Sequence, residues 1–467
     1  MLTTLILALA TPDLAAILDS PELKGALYSA TVTDLEGNVL FERNPDQRAM
    51  PASNQKLISC AFALFALGPN YVPKTRIWKL KDRVVVESTG DPSLSYSQLL
   101  QARRSLKLSG KLPVHLMQSY RGGIPDSWEY DDLPNRYAAQ VSAFNFDQGA
   151  FELWAEKGRP FLLPSSFGVK VIPDPNLKAG SSRYDPLLKT AWYGPGLPRA
   201  RTRLDTLALP NPDFAAAAVL GSRLLYTESI PKRPADLTIE GKPLPEILKT
   251  CLVKSDNNMA ENLLLMAAAK QGDLGKAPYE TARERVSKFL IETVGVDKSD
   301  LRIFDGSGLS RHNLVTSRSI AKLLHWANRQ STAPLWRSCL VSPLNGTLKG
   351  RLKDVEFRGK TGTLDMVVSL SGYVKTPGGN EVIMSLLLNH FTCDTAKARD
   401  IADGFVKTLA TGTDGPQDAL SCSYETRRTD QKHLDADRNR PGRSGLNRRA
   451  PRPRQDRRTE PRHETVH

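Results

Sequence analysis

The sequence predicts an α+β fold on three observations. Strand hairpins lie near both ends of its apolar part, long apolar helices lie between them, and a stretch of short strands interrupts the pattern. Gly25 to Arg43 reads as the first hairpin: "ALYSATVTD" and "VLFER" joined by a turn at Glu36-Gly37-Asn38. The run "LISCAFALFALG" then continues without proline until Gly68 stops it, apolar on nearly all sides, as in a helix buried inside a domain. From about residue 76 to 240 the texture changes. Strand-like stretches alternate with Gly/Pro turns ("STGDPSL", "SYRGGIPDSW", "WYGPGLP") and read as an insertion of one or two small β-rich domains. Helical pattern returns at "PLPEILKTCLVKSDNNMAENLLLMAAAKQG" and continues through "ARERVSKFLIETVG" and "SRSIAKLLHWANR". "MVVSLSGYVKT" and "NEVIMSLLLNHF" flank a Pro-Gly-Gly-Asn turn as a hairpin of buried strands, and "TAKARDIADGFVKTLA" forms the last helix. The resulting division is 11–75 with 241–415 as one domain, 76–240 as the insertion and 416–467 as a tail.

Charge and composition exclude more than they select. The net charge of +14 is concentrated: Glu425 to His467 carries thirteen Lys/Arg against seven Asp/Glu and supplies +6 of it. The remaining body is only mildly basic, and no nucleic-acid recognition motif is present, so no nucleic-acid partner is expected. The tail is poor in apolar residues and rich in Arg, Pro, Asp and Glu, which predicts disorder. It is a solvated terminus or an electrostatic tether to an anionic wall polymer or membrane. Residues 1–10, "MLTTLILALA", are too short to span a bilayer and end in Ala8-Leu9-Ala10. They read as a short or mis-started export signal without the usual basic start, or as an N-terminal strand or helix start; the export reading implies a location in the periplasm or otherwise outside the cytoplasm. Cys60, Cys251, Cys339, Cys393 and Cys422 are widely spaced and form no C-x-x-C or zinc pattern; most read as buried thiols, with a single disulfide the alternative in an exported protein.

Three short stretches carry the chemistry. In "PASNQKLISC", Ser53 and Lys56 are three apart at the start of an apolar helix, so their side chains share a face. A serine nucleophile needs a base within hydrogen-bond reach, and a lysine becomes a base only when burial or a second cation lowers its pKa. The same spacing also suits a helix cap and a solvated lysine. "KSDNNMAENLL" places Ser255, Asp256 and Asn257 at a helix start, where all three are also ordinary caps. "FRGKTGTLDMVVSL" runs Lys360-Thr361-Gly362-Thr363 into a strand, where the glycine marks a close backbone approach or the lysine blunts a sheet edge.

Together and in this order, the stretches resemble the Ser-x-x-Lys, Ser-Asp-Asn and Lys-Thr-Gly motifs of serine enzymes acting on penicillin or D-Ala-D-Ala substrates. Ser255 lies 202 residues after Ser53, and Lys360 another 105 beyond. That long first interval, with "GDPSL", "SWEYDDLPNRYAAQVSAFNFDQ" and "FDGSGLSRHNLVTSRSIAKLL", resembles the class C low-molecular-mass penicillin-binding proteins. These are serine D-Ala-D-Ala carboxypeptidase/endopeptidases of the penicillin-binding protein 4 type, and the resemblance covers roughly residues 25–410. It implies a β-lactamase/transpeptidase-like catalytic domain, an antiparallel sheet flanked by helices, carrying inserted domains. It also implies cleavage of peptidoglycan stem peptides through an acyl-enzyme, β-lactam antibiotics as covalent inhibitors, and neither metal nor cofactor.

The roles implied are complementary. Ser53 attacks, Lys56 takes its proton, and Ser255 passes that proton to the leaving amine. Asn257 holds a substrate amide. Lys360 depresses the Lys56 pKa and attracts the terminal carboxylate, to which Thr361 and Thr363 add hydroxyls. Gly362 lets substrate pair along the strand, and the N–H groups of Ser53 and Thr363 form the oxyanion hole. Asp132, Tyr137 and Arg311 match a side pocket that reads the free end of a diamino acid; a loop acid, a core aromatic and a structural ion pair are the alternative readings. No Glu-x-x-Leu-Asn follows Ser255, which argues against a lactamase that deacylates through a glutamate-held water. Two rival functions remain at this point: a β-lactamase or esterase, and a non-catalytic peptidoglycan-binding protein of the same fold.

Overall fold

The computed structural model describes residues 13–164 and 167–412. The export-signal segment and the basic tail lie outside the described residues. Five strands form an antiparallel sheet: β1 (Leu27–Asp34), β2 (Val39–Arg43), β3 (Phe357–Leu364), β4 (Val367–Lys375) and β5 (Glu381–Asn389), in the order β3-β4-β5-β1-β2. The two hairpins read from the sequence are the two halves of this sheet, joined where Leu27 to Asp34 pair with Asn389 to Val382. β4 and β5 are buried along nearly their whole length, which explains their continuous apolar runs in place of alternation. Ile383 and Leu387 of β5 join one core, while Val382, Met384, Leu386 and Leu388 join another on the opposite face.

Helices cover both faces. Five of them are, in chain order, α1 (Gln55–Leu67), α2 (Leu244–Lys254), α3 (Asn257–Lys270), α4 (Ser317–Asn328) and α5 (Thr395–Thr411). α5 packs on β4 with Phe405 and Val406 in the second core. α1 and α3 pack against each other on the other side, with ten of the thirteen α1 residues buried. Each fully buried Leu, Ile or Phe there stabilises the fold by about 1.5–3 kcal/mol. Gly68, at φ +81°, closes α1 where the apolar run ends, and its N–H is bonded to Leu64 O.

The intervening segment is β-rich as expected. A five-stranded mixed sheet (Lys74–Lys79, Val84–Ser88, Val114–Gln118, Leu224–Tyr226 and Leu237–Glu240) is accompanied by two three-stranded sheets. It also contains two helices absent from the strand reading, Tyr96–Ser105 and Pro212–Leu220. The first starts with a capping box between Ser95 and Gln98. A continuous apolar core runs from α1 and α3 into this segment through Val84, Leu116 and Phe151.

Candidate active site

Ser53 does not cap α1. It sits in a 3-10 turn, Ala52–Asn54, that precedes the helix, and no side-chain cap bond forms there. Ala52 is held at φ +44°, in the left-handed region that disfavours a side chain. The turn is pinned to β4: Ser369 Oγ donates to Pro51 O at 2.7 Å and Asn54 Nδ2 donates to Ser371 Oγ at 2.8 Å. Ser53 thus stands on an over-determined corner rather than on a fraying helix end.

Lys56, one turn on, is fully buried, with Nζ 2.9 Å from Ser53 Oγ. Nζ also donates to Asn257 Oδ1 at 2.7 Å and to Ser307 O at 2.7 Å. Burial lowers the Lys56 pKa, opposed by the acidic groups Cys251, Asp305, Glu261 and Asp256. The expectation that Lys360 is the cause needs adjusting. Burial leads, and the repulsion falls on Lys360 itself, pushed down to about 7 by burial and then by the Lys56 charge. The repulsion between two ammonium groups is mutual, so it disfavours both being charged.

Ser255 ends α2 in the left-handed conformation, φ 57°, and Asp256 caps α3 by accepting from Met259 N at 2.9 Å. Of the three cap candidates, Asp256 therefore does the capping, which leaves Ser255 and Asn257 to face the site. Lys360 Nζ donates to Ser255 Oγ at 2.9 Å and to Thr361 O at 2.8 Å. Asn257 Nδ2 donates to Tyr137 O at 2.9 Å, tying α3 to the inserted segment.

Gly362 marks a close backbone approach, one of the readings its place on the strand allowed, and the backbone that approaches is the nucleophile's own. A Cβ there would lie 2.9 Å from Ser53 N and 2.8 Å from Pro51 O, so its missing side chain is the space the nucleophile's backbone occupies. The two threonines separate as well. Thr361 is buried with its hydroxyl 2.6 Å from that of Thr347, whereas Thr363 is exposed and lines the cleft.

That cleft has a volume of about 600 Å³ and is lined by Ser53, Ser255, Asn257 and Thr363 together with Asp132, Tyr137 and Arg311. Tyr137 Oη donates to Asp132 Oδ1 at 2.8 Å; burial, then Asp132, raises the phenol to about 12. Three lining acids, Glu129, Asp131 and Asp365, were not singled out from the sequence. Glu129 accepts from Arg311 Nε at 3.1 Å, and Asp365 O accepts from Arg311 Nη1 at 3.1 Å. The three acids within "WEYDD" were the available signal for the first two. Cys60 and Cys251 lie buried with sulfurs 3.8 Å apart, and neither they nor Cys339 and Cys393 are in a disulfide. Cys422 lies outside the described residues.

Two serines that line one cleft beside an antiparallel sheet, each bonded to a fully buried lysine, define a serine hydrolase of the penicillin-interacting class. The chain belongs to the D-Ala-D-Ala carboxypeptidase 3 (S13) family, whose pattern matches residues 10–170 and 227–412. It is 28% identical to a D-alanyl-D-alanine carboxypeptidase of Actinomadura sp. (strain R39), over 81% of this chain and 80% of that one. It is 25% identical to the D-alanyl-D-alanine carboxypeptidase DacB of Haemophilus influenzae, over 76% and 84%. The structure of penicillin binding protein 4 (dacB) from Haemophilus influenzae superposes with a TM-score of 0.70 at 20% identity, covering 85% of this chain and 98% of that one, which shows the shared fold. Family and fold make the chain a serine-type D-Ala-D-Ala carboxypeptidase.

Proposed function

We propose that Ser53 is the acyl-accepting nucleophile and that residues 11–75 and 241–415 are the catalytic body, with 76–240 an insertion that lines the cleft. The observation that carries this is the 2.9 Å approach of a fully buried Lys56 Nζ to Ser53 Oγ. As Ser53 attacks the carbonyl between the two terminal D-alanines, Lys56 takes its proton and the Ser53 and Thr363 N–H groups receive the oxyanion. Ser255, bonded to Lys360, hands a proton to the departing amine of D-alanine. Water then releases the shortened stem peptide from Ser53. A β-lactam acylates Ser53 by the same attack, but its ring nitrogen stays tethered. The Lys360 charge draws the substrate carboxylate, and Thr363 offers it a hydroxyl; Thr361, engaged with Thr347, supports the strand.

Asp132, Tyr137 and Arg311, which line the cleft together, fit a diamino-acid side chain. Peptidoglycan stem peptides are the substrates, which requires a location outside the cytoplasm. The same acyl-enzyme chemistry applied to a cross-link would make the protein an endopeptidase as well, read by release of monomers from cross-linked dimers. The test is D-alanine release from a pentapeptide ending in D-Ala-D-Ala: the wild type releases it and Ser53→Ala does not. Binding of the peptide without release would support the non-catalytic reading, and rapid turnover of nitrocefin or short esters the lactamase or esterase reading.

A further inference from the structure

The stretch Asp305-Gly306-Ser307-Gly308-Leu309-Ser310 has no part in the roles above except that the Ser307 carbonyl touches Lys56. Its backbone is nevertheless held at almost every atom. Gly306 N and Ser307 N each donate to one oxygen of Glu261, both at 2.8 Å. Gly308 N and Ser310 N donate to the two oxygens of Asp305, both at 2.7 Å. On the other side, α1 reads three consecutive carbonyls: Gln55 Nε2 donates to Asp305 O at 3.2 Å, Ser59 Oγ to Gly306 O, and Lys56 Nζ to Ser307 O at 2.7 Å. The stretch is threaded between two helices at the limit of backbone approach. A Cβ on Gly306 would lie 2.7 Å from Ala260 O, and one on Gly308 would overlap Ala52 O, at 1.8 Å.

Glu261 is fully buried, outside the cleft lining, and an acidic residue in the apolar sequence of α3; burial, then Asp305, pushes its carboxyl up to about 8. Burying a carboxyl group is costly unless its oxygens are satisfied, and here both are spent on the peptide that carries the Ser307 carbonyl. What that carbonyl does follows from the valence of an amine. Neutral Lys56 has two N–H bonds and one lone pair. Asn257 Oδ1 and Ser307 O can only accept, so they take the two N–H bonds, and the lone pair is left for the Ser53 hydroxyl. If the Ser307 carbonyl turns away, an N–H can rotate towards Ser53 Oγ, which is the wrong polarity for a base.

We propose that Glu261 is a positioning residue for acylation: by holding the Gly306 and Ser307 N–H groups it aims the Ser307 carbonyl at Lys56 and thereby turns the Lys56 lone pair to Ser53. The inference rests on the reading of Ser53 and Lys56 as nucleophile and base. Glu261→Gln keeps the shape but presents an amide nitrogen, which cannot accept, to one of the two N–H groups. Penicillin acylation is measured over a range of concentrations, so that the acylation rate constant separates from the dissociation constant of the non-covalent complex. Rates are counted per labelled site, so unfolded protein does not enter. The expected result is an acylation constant lower by about 10- to 100-fold with the dissociation constant unchanged within about twofold, since Glu261 does not line the cleft. An unchanged constant per site overturns the proposal, as does a parallel change in both constants. So does a loss confined to the number of labelled sites, which would make Glu261 a folding residue. A wild type that is never acylated would instead remove the underlying reading of Ser53, and this inference with it.

Discussion

Gly362→Ala puts one methyl group into the contact that seats the nucleophile. Gly362 is not among the glycines at positive φ, so alanine can adopt its backbone and the effect is purely steric. The new Cβ would lie 2.2 Å from Ser369 Oγ, 2.8 Å from Pro51 O and 2.9 Å from Ser53 N. Non-bonded contacts of this kind settle near 3.5 Å, so the Pro51–Ser53 turn must retreat by about 0.6 Å. The Ser369 hydroxyl, which holds Pro51 O at 2.7 Å, must swing away as well. Overpacking of this size costs about 1–3 kcal/mol of stability. Lengthening the 2.9 Å Ser53–Lys56 approach by the same displacement should slow acylation by about 10- to 100-fold. The assay is the second-order rate of labelling by fluorescent penicillin, with a urea midpoint measured on the same preparation. Labelling at the wild-type rate would refute the claim that the glycine seats Ser53.

Lys360→Met bears on the pH profile. Acylation needs neutral Lys56, so its rate climbs as pH rises through the Lys56 pKa. Burial leads the lowering of that pKa, and the repulsion between the two lysines falls on Lys360, whose proton is lost while Lys56 is still charged. The ascending limb of penicillin acylation should therefore stay in place; a limb that moves to higher pH would show that the Lys360 charge holds the Lys56 pKa down. Glu129→Gln removes the carboxylate bonded to Arg311 at 3.1 Å, freeing the guanidinium for substrate. The KM for a stem peptide whose third side chain ends in a carboxylate should fall by about two- to fivefold, while that for a lysine-type peptide should not fall. Equal shifts for both would remove Arg311 from the recognition of that end. Asp256→Ala deletes the α3 cap and the partner of Arg136, and should lower stability by about 1–2 kcal/mol in urea unfolding. Asp256→Asn, which keeps an acceptor, should recover most of that loss.

The three motifs were legible because each is local: a spacing of three on a helix, a helix start, a strand with a glycine. What each residue does within its motif was less legible, because that depends on the partner element. Nothing in "KTGT" tells which threonine faces the cleft; Thr347, 14 residues before Thr361 in the turn at 346–348, decides it by taking Thr361. The glycine signalled a close backbone approach, but not that the approaching backbone is the Pro51–Ser53 turn. Glu261 and Asp305 were invisible as chemistry, although a lone glutamate inside "NNMAENLLLM" breaks an apolar helix and could have been flagged as a buried charge seeking donors. In the fold, the hairpins and apolar helices followed from period and turn residues. The helix Tyr96–Ser105 was overlooked in a region read by its Gly/Pro turns, even though Ser95 and Gln98 carry its start signal.

The central claim is that Ser53 takes the acyl group with Lys56 as its base. It is tested most directly by treating the full chain and its Ser53→Ala variant with penicillin, then locating the adduct by peptide mass spectrometry. The account predicts a single stable adduct on the peptide containing Ser53-Asn54-Gln55-Lys56, and none in the variant. An adduct on any other residue, or one that persists in Ser53→Ala, would contradict it.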